Sequence, residues 1–243
     1  MPRIVAVIPA RLESTRLPRK PLRLIAGHPM IAWVYHRARR AASLDHVLIA
    51  TDSSEIVNYC NKAGIPAEMT SAAHRSGTDR IVEVMSRIAA DIYVNIQGDE
   101  PMVTPEHIEL MLGPFRELPE TQVSTLKVAI TTEEARNPNN VKVVTDVAGR
   151  ALYFSRALIP HDRDGSGQVQ YYKHMGLYGY TKDFLFTYKN IPPSSLERTE
   201  RLEQLRVLEE GFRIKVVETK YDTISVDTAE DLEKVKEYLR RAA

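Results

Sequence analysis

The chain has 243 residues, enough for one α/β domain with a sizeable core, and its 43% hydrophobic content is that of an ordinary globular protein. Thirty-three basic residues face 32 acidic ones, so no overall charge draws it to nucleic acid or to a membrane surface, and no partner of either kind is expected. The single cysteine, Cys60, cannot close an intramolecular disulfide, and no apolar run approaches the ~20 residues of a membrane helix, so the reading is a soluble, cytoplasmic protein.

Ile4-Val5-Ala6-Val7-Ile8 predicts a strand buried on both faces of a parallel sheet. A loop rich in Arg, Ser, Thr and Pro follows, and Pro29 with Ile31, Val34, Tyr35 and Ala38 predicts a helix. Val47-Leu48-Ile49-Ala50 is a second strand; Asp52 with Glu55 three residues on reads as the cap of the next helix, which Gly64 ends. Ile81, Val82, Met85 and Ile88 mark another helix. Tyr93-Val94-Asn95-Ile96 is a third strand, closed by Gln97-Gly98-Asp99-Glu100-Pro101. Repeated βα units of this length predict an α/β fold with a doubly wound, mostly parallel sheet. Ligands on such sheets bind beyond the carboxyl ends of the strands, which directs attention to the loops after Ile8 and Ile96.

Antiparallel structure enters in the second half. Val141-Lys142-Val143-Val144 and Leu152-Tyr153-Phe154 flank a turn at Asp146 and Gly149 and predict a hairpin. The stretch 161–170 is polar, holds Gly165 and Gly167, and reads as a surface loop. Residues 176–181 predict a strand; Leu202, Leu205 and Leu208 a helix ended by Gly211; residues 214–217 a strand; and Leu232, Val235 and Leu239 a C-terminal helix. No linker interrupts the chain, so residues 1–243 are expected to form one domain, with a smaller antiparallel portion within about 130–185.

The loop 9–21 carries Arg11, Arg16, Arg19 and Lys20 beside the hydroxyls of Ser14 and Thr15. Such a set can bind a triphosphate through guanidinium forks and an ammonium point charge, or it can be a solvated basic loop. It lacks the glycine spacing of a P-loop or a dinucleotide fingerprint, which disfavours a P-loop ATPase and a simple dehydrogenase. Asp99, displayed at a strand end, suits magnesium, which takes one or two carboxylates plus substrate phosphates; it can equally cap the following helix. Asp227, in Val226-Asp227-Thr228, reads on its own as a helix cap, with Thr228 and Asp231 able to form a capping box. Ser76-Gly77-Thr78-Asp79 reads as a turn and N-cap.

These pieces together resemble one family. Arg3 to Arg11, Ser14-Thr15-Arg16-Leu17-Pro18, Lys20-Pro21-Leu22, Ser76-Gly77-Thr78-Asp79-Arg80, Asn95 to Pro101, Asn139 to Val144, Ala151 to Arg156, Leu202-Glu203-Gln204-Leu205-Arg206 and Val226-Asp227-Thr228 stand in the order and spacing of the 3-deoxy-manno-octulosonate cytidylyltransferases, or CMP-Kdo synthetases. The resemblance runs nearly end to end. It implies the reaction of CTP with Kdo to give CMP-Kdo and pyrophosphate, for lipopolysaccharide synthesis, and a homodimer. It implies Mg2+ held by Asp99 and Asp227, and catalytic roles for Arg11 and Lys20. Ala10, Arg11, Ser14, Arg16, Lys20, Ser76, Gly77, Thr78 and Gln97 become the nucleotide-binding set. Arg163, His174, Tyr178, Glu203 and Gln204 become the sugar-acid set, with Glu200, Glu203 and Gln204 read as one polar helix face and Glu200 as no more than solvated. A sugar acid brings a carboxylate and several hydroxyls, which call for a cation and mixed hydrogen-bond partners. The same reaction on the 8-amino analogue of Kdo is the nearest rival, CMP-sialic acid synthesis a more distant one. A non-catalytic nucleotide-binding module is the alternative from another class.

Overall fold

The computed structural model describes residues 2–14, 16–74 and 76–241. Its elements are, in chain order, β1 (Ile4–Ala10), a 3-10 turn (Lys20–Leu22), β2 (Leu24–Ile25), β3 (His28–Pro29), α1 (Met30–Ala38), β4 (His46–Thr51) and α2 (Ser54–Ala63). There follow β5 (Ala67–Met69), α3 (Gly77–Met85), β6 (Ile92–Asn95), α4 (Pro105–Glu117), β7 (Val123–Ile130), α5 (Thr132–Arg136), β8 (Lys142–Thr145) and β9 (Ala151–Ser155). The last are β10 (Tyr171–Thr181), α6 (Lys182–Tyr188), α7 (Ser195–Glu200), α8 (Gln204–Glu209), β11 (Ile214–Thr219) and α9 (Ala229–Arg241). The chain divides into two compact units, Met1–Glu109 with Thr223–Ala243, and Leu110–Asp222.

In the first unit the strands lie in the order β6-β1-β4-β5, all parallel. β1 is central, and Val5, Ala6, Val7 and Ile8 are fully buried, as a strand covered on both faces must be. Parallel pairing sets Ala10 opposite Thr51 and Val7 opposite Asn95, so β1, β4 and β6 end on one edge of the sheet. Leu17, Ile25, Met30, Met102 and Val226 form one apolar cluster with Leu232, Val235 and Leu239 of α9. The basic loop is thereby anchored in its middle by Leu17, and the segment leading to Asp227 is anchored by Val226. One expectation changes here. The cap of α2 is Ser53, whose hydroxyl accepts from the N–H of Ile56 at 3.4 Å, and not Asp52, whose carboxylate is taken by Arg80 at 2.7 Å. Gly64 ends α2 at φ 67, a conformation that glycine adopts without a Cβ clash.

In the second unit the strands lie in the order β11-β7-β10-β8-β9; β11 and β7 are parallel and the other pairs antiparallel. The expected hairpin is β8 and β9, closed by Gly149 N–H donating to the Asp146 carbonyl at 3.0 Å. The unit extends beyond residues 130–185 on both sides. The residues 176–181 are the second half of the longer β10, which shifts register between Met175 and Tyr178. The expected single face of Glu200, Glu203 and Gln204 does not exist. Arg201 adopts a left-handed φ of 54 and breaks the helix, so Glu200 ends α7 while Glu203 precedes α8 without a side-chain capping bond and Gln204 starts it. Among the described residues, no helix is long and apolar enough to cross a membrane.

Candidate active site

The carboxyl edge of the first unit's sheet gathers the basic loop and both candidate acids. Lys20 Nζ donates to Asp99 Oδ2 at 2.6 Å and to Asp227 Oδ1 at 3.1 Å, although these partners lie 79 and 207 positions away in sequence. Arg16 reaches the same Asp227 oxygen at 3.0 Å. Lys20 is only 15% exposed and Arg16 60%. Burial works to lower the Lys20 pKa, but Asp99 and then Asp227 beside it outweigh that and raise it, so the ammonium stays charged. The other two cations of the loop face elsewhere: Arg11 donates to the carbonyl of His74, and Arg19 pairs with Glu55. Ser14 Oγ accepts from the N–H of Leu17 at 3.4 Å and tightens the loop; Thr15 lies outside the described residues.

Backbone features place the two acids. A Cβ on Gly98 would lie 2.7 Å from the carbonyl oxygen of Pro9, so only glycine lets the turn after β6 press against the end of β1. Glu100 N–H closes that turn on the Gln97 carbonyl at 3.1 Å, and Asp99 is left facing Lys20. Asp99 is therefore not a helix cap. Neither is Asp227. Thr228 caps α9 instead, accepting from Asp231 N–H at 3.2 Å while the Asp231 carboxylate accepts from Thr228 N–H at 2.9 Å. The reciprocal box leaves the Asp227 carboxylate free of capping duty.

The residues expected around the nucleoside lie on the same edge. Ala10 is the last, buried residue of β1. Ser76 caps α3 through a reciprocal box with Asp79, Gly77 opens the helix, and Thr78 is buried. A Cβ on Gly77 would meet the Pro9 ring at 3.2 Å, so the start of α3 lies against the end of β1. Arg80, 1% exposed, fixes this helix by donating to Asp52, to Thr70 Oγ1 at 2.6 Å and to the Ser71 carbonyl at 3.3 Å.

In the second unit, His174 and Tyr178 of β10 are neighbours, with ring centroids 5.3 Å apart. His174 Nε2 lies 3.1 Å from Thr125 Oγ1. Burial lowers the imidazole pKa to about 3, so at neutral pH it is an uncharged hydrogen-bonding group. Burial, then the Tyr180 and Glu203 charges, raise the Tyr178 phenol well above its usual value. Glu203 accepts a hydrogen bond from the Tyr188 hydroxyl, and Gln204 is buried at the start of α8. The exposed Arg163 sits on the polar stretch 161–170, and among the described residues no hydrogen bond or ion pair ties it to the other four.

Some partners escaped the sequence reading. Tyr188 holds Glu203, and Arg206 locks α8 to α7 by binding both oxygens of Glu197, at 2.7 and 2.6 Å. Glu200, expected to be solvated, accepts from Ser155 Oγ at 2.5 Å and from Arg156 N–H at 2.9 Å, so it ties α7 to the end of β9. These links form through the tertiary fold, for which local pattern carries no signal; Ser155, Arg156, Glu203 and Arg206 stand inside motifs quoted for the resemblance, whereas Tyr188, Glu197 and Glu200 do not.

Comparison with known proteins identifies the family. The sequence profile of the cytidylyltransferase family matches residues 5–220. A 3-deoxy-manno-octulosonate cytidylyltransferase of Koribacter versatilis is 56% identical over 237 residues, covering 97% of this chain and 90% of that one. Another, of Acidobacterium capsulatum, is 56% identical over 236 residues, covering 97% and 96%. A solved CMP:2-keto-3-deoxy-manno-octonic acid synthetase complexed with CTP superposes with a TM-score of 0.95 at 44% identity, over 99% of this chain and 100% of that one. The chain therefore belongs to the cytidylyltransferase family, and within it to the 3-deoxy-manno-octulosonate cytidylyltransferases.

Proposed function

We infer that the chain joins CMP from CTP to the anomeric oxygen of Kdo and releases pyrophosphate, supplying activated Kdo for lipopolysaccharide synthesis. The observation that carries the reading is the meeting of Lys20 and Arg16 with Asp99 and Asp227 at the end of a parallel sheet. Its support from relatives is their common name: those reported above are Kdo enzymes, which favours Kdo over its 8-amino analogue and catalysis over a passive binding module.

The donor set fits magnesium. Two carboxylates converge on one positive charge, that of Lys20, and oxygen donors supplemented by phosphates are what this ion takes. We assign Asp99 and Asp227 as its ligands. When bound, the ion neutralises charge on the α-phosphate and can lower the pKa of the attacking hydroxyl. The rest is the work of the chain. Arg11, Ser14, Arg16 and Lys20 hold the triphosphate, and Lys20 and Arg11 stabilise the charge that builds on it as the anomeric hydroxyl attacks the α-phosphorus in line and pyrophosphate leaves. Ala10, Ser76, Gly77, Thr78 and Gln97 surround the cytidine. His174, Tyr178, Glu203 and Gln204 supply hydrogen bonds to the sugar acid, and Arg163 the cation for its carboxylate. No covalent enzyme intermediate is involved; Cys60 is buried, and burial pushes its thiol up to about 11. A homodimer acting in the cytoplasm completes the proposal, and sedimentation of the purified protein checks its oligomeric part.

The test is pyrophosphate release from CTP, with Kdo or its 8-amino analogue, in magnesium or in EDTA. Release with Kdo that EDTA abolishes is expected. A preference for the amino sugar would change the substrate and keep the site, whereas folded protein silent with both sugars would defeat the reading.

A further inference from the structure

We propose that Lys20 and Arg16 are resident counter-ions of the Asp99–Asp227 pair, and that a divalent cation and a nucleoside triphosphate displace these pairings together, so that each strengthens binding of the other. The inference rests on the assignment of the two acids above and concerns what the chain's own cations do before either ligand arrives.

The charges in this corner balance without any ligand. Two carboxylates face one ammonium and one guanidinium, and a single oxygen, Asp227 Oδ1, takes both Lys20 at 3.1 Å and Arg16 at 3.0 Å. Lys20 also spans to Asp99 at 2.6 Å, so it stands between the acids where a divalent ion has to be held. The loop's remaining arginine contacts, Arg11 with the His74 carbonyl and Arg19 with Glu55, leave the acid pair to Lys20 and Arg16.

Either ligand alone meets this arrangement at a disadvantage. A triphosphate without metal must draw Lys20 and Arg16 away and leave two bare carboxylates facing an anion. A divalent cation without nucleotide must enter against an ammonium and a guanidinium already on its ligands. Arriving together, the two exchange partners: the metal takes the carboxylates, and the displaced cations take the phosphates. Linkage makes the resulting coupling reciprocal, and about tenfold is an ordinary size for it.

Two titrations test the exchange. The first adds Mn2+ to nucleotide-free protein and reads free Mn2+ by electron paramagnetic resonance. Lys20→Met is expected to bind Mn2+ about tenfold more tightly than the parent, and Arg16→Gln, a change at an exposed side chain that spares the fold, to shift the same way by about threefold. The second adds CTP in EDTA and reads heat. Asp227→Asn is expected to bind metal-free CTP about tenfold more tightly than the parent, with most of that gain lost when Lys20→Met and Arg16→Gln are also present. Mn2+ affinity unchanged or weakened in both cation variants would overturn the proposal. So would an equal CTP gain in both backgrounds, which is what simple repulsion between Asp227 and the triphosphate gives. Mn2+ binding that survives in Asp99→Asn and Asp227→Asn alike would remove the metal assignment itself; binding lost there but not tightened by Lys20→Met or by Arg16→Gln removes only the exchange.

Discussion

Val226 donates its backbone N–H to the carbonyl of Asp99 at 2.9 Å. The turn after β6 and the segment before α9 are thereby joined main chain to main chain, next to both acids. Their spacing is set by backbone, so the two carboxylates act as a unit. Asp99→Asn should lower turnover by at least about a hundredfold without unfolding the protein. The double variant with Asp227→Asn should fall little further, because groups that act together are not additive. Steady-state pyrophosphate release on the two singles and the double decides it; multiplicative losses would mean that the acids work separately.

Gly98 offers a sharper probe of how the first acid is placed. Its missing Cβ is what lets the turn approach the Pro9 carbonyl. Gly98→Ala puts a methyl 2.7 Å from a backbone oxygen, which no side-chain rotation relieves. A loss of about 2 kcal/mol in denaturant unfolding is expected, together with a fall in kcat as Asp99 is pushed from Lys20. Unchanged stability would mean that the turn gives way freely.

Thr228 and Asp227 separate capping from chemistry. Thr228→Ala removes the oxygen that caps α9 and should cost about 1 kcal/mol of stability, with turnover near that of the parent. Asp227→Asn should do the reverse, keeping the melting temperature and losing turnover. Melting curves and rates on the two variants, measured side by side, read both effects; a large rate loss in Thr228→Ala would show that the cap also positions the acid.

His174 gives the stability curve a slope in acid. The unfolded chain binds a proton at this residue near pH 6.5, the folded protein only near about 3, because burial disfavours the charged ring. Between those values the unfolded state holds more protons, so stability falls as pH drops from about 6.5 toward 3, by up to about 1.4 kcal/mol per unit, and is unaffected by this residue above that window. Urea unfolding at pH 7 and pH 5 should show the loss, and His174→Asn should flatten it. An equal slope in the variant would place the acid sensitivity elsewhere.

The parallel half of the fold was legible because its strands are continuous β-branched runs and its helices carry apolar spacing. The strand β7 is masked in the sequence although Leu126, Val128 and Ile130 alternate, because Ser124 and Thr125 break the apolar run and are nevertheless buried. For the site, loop 9–21 and the turn after β6 stood out by composition and position. Asp227 did not: its local pattern is that of a cap, and what frees it is that Thr228, one residue later, does the capping. Arg201 shows the converse limit, since nothing in its neighbours announces a left-handed residue that splits one helix into two.

The first unit is completed by residues 223–243 only after an insertion of residues 110–222. On the ribosome this ordering has a cost. A nascent polypeptide carries the basic loop and Asp99 long before Asp227 has been translated, and Leu232, Val235 and Leu239 reach their apolar cluster later still. A message truncated within the insertion yields a product with Lys20 and Arg16 unopposed by the second acid and with the cluster around Leu17 left open to water.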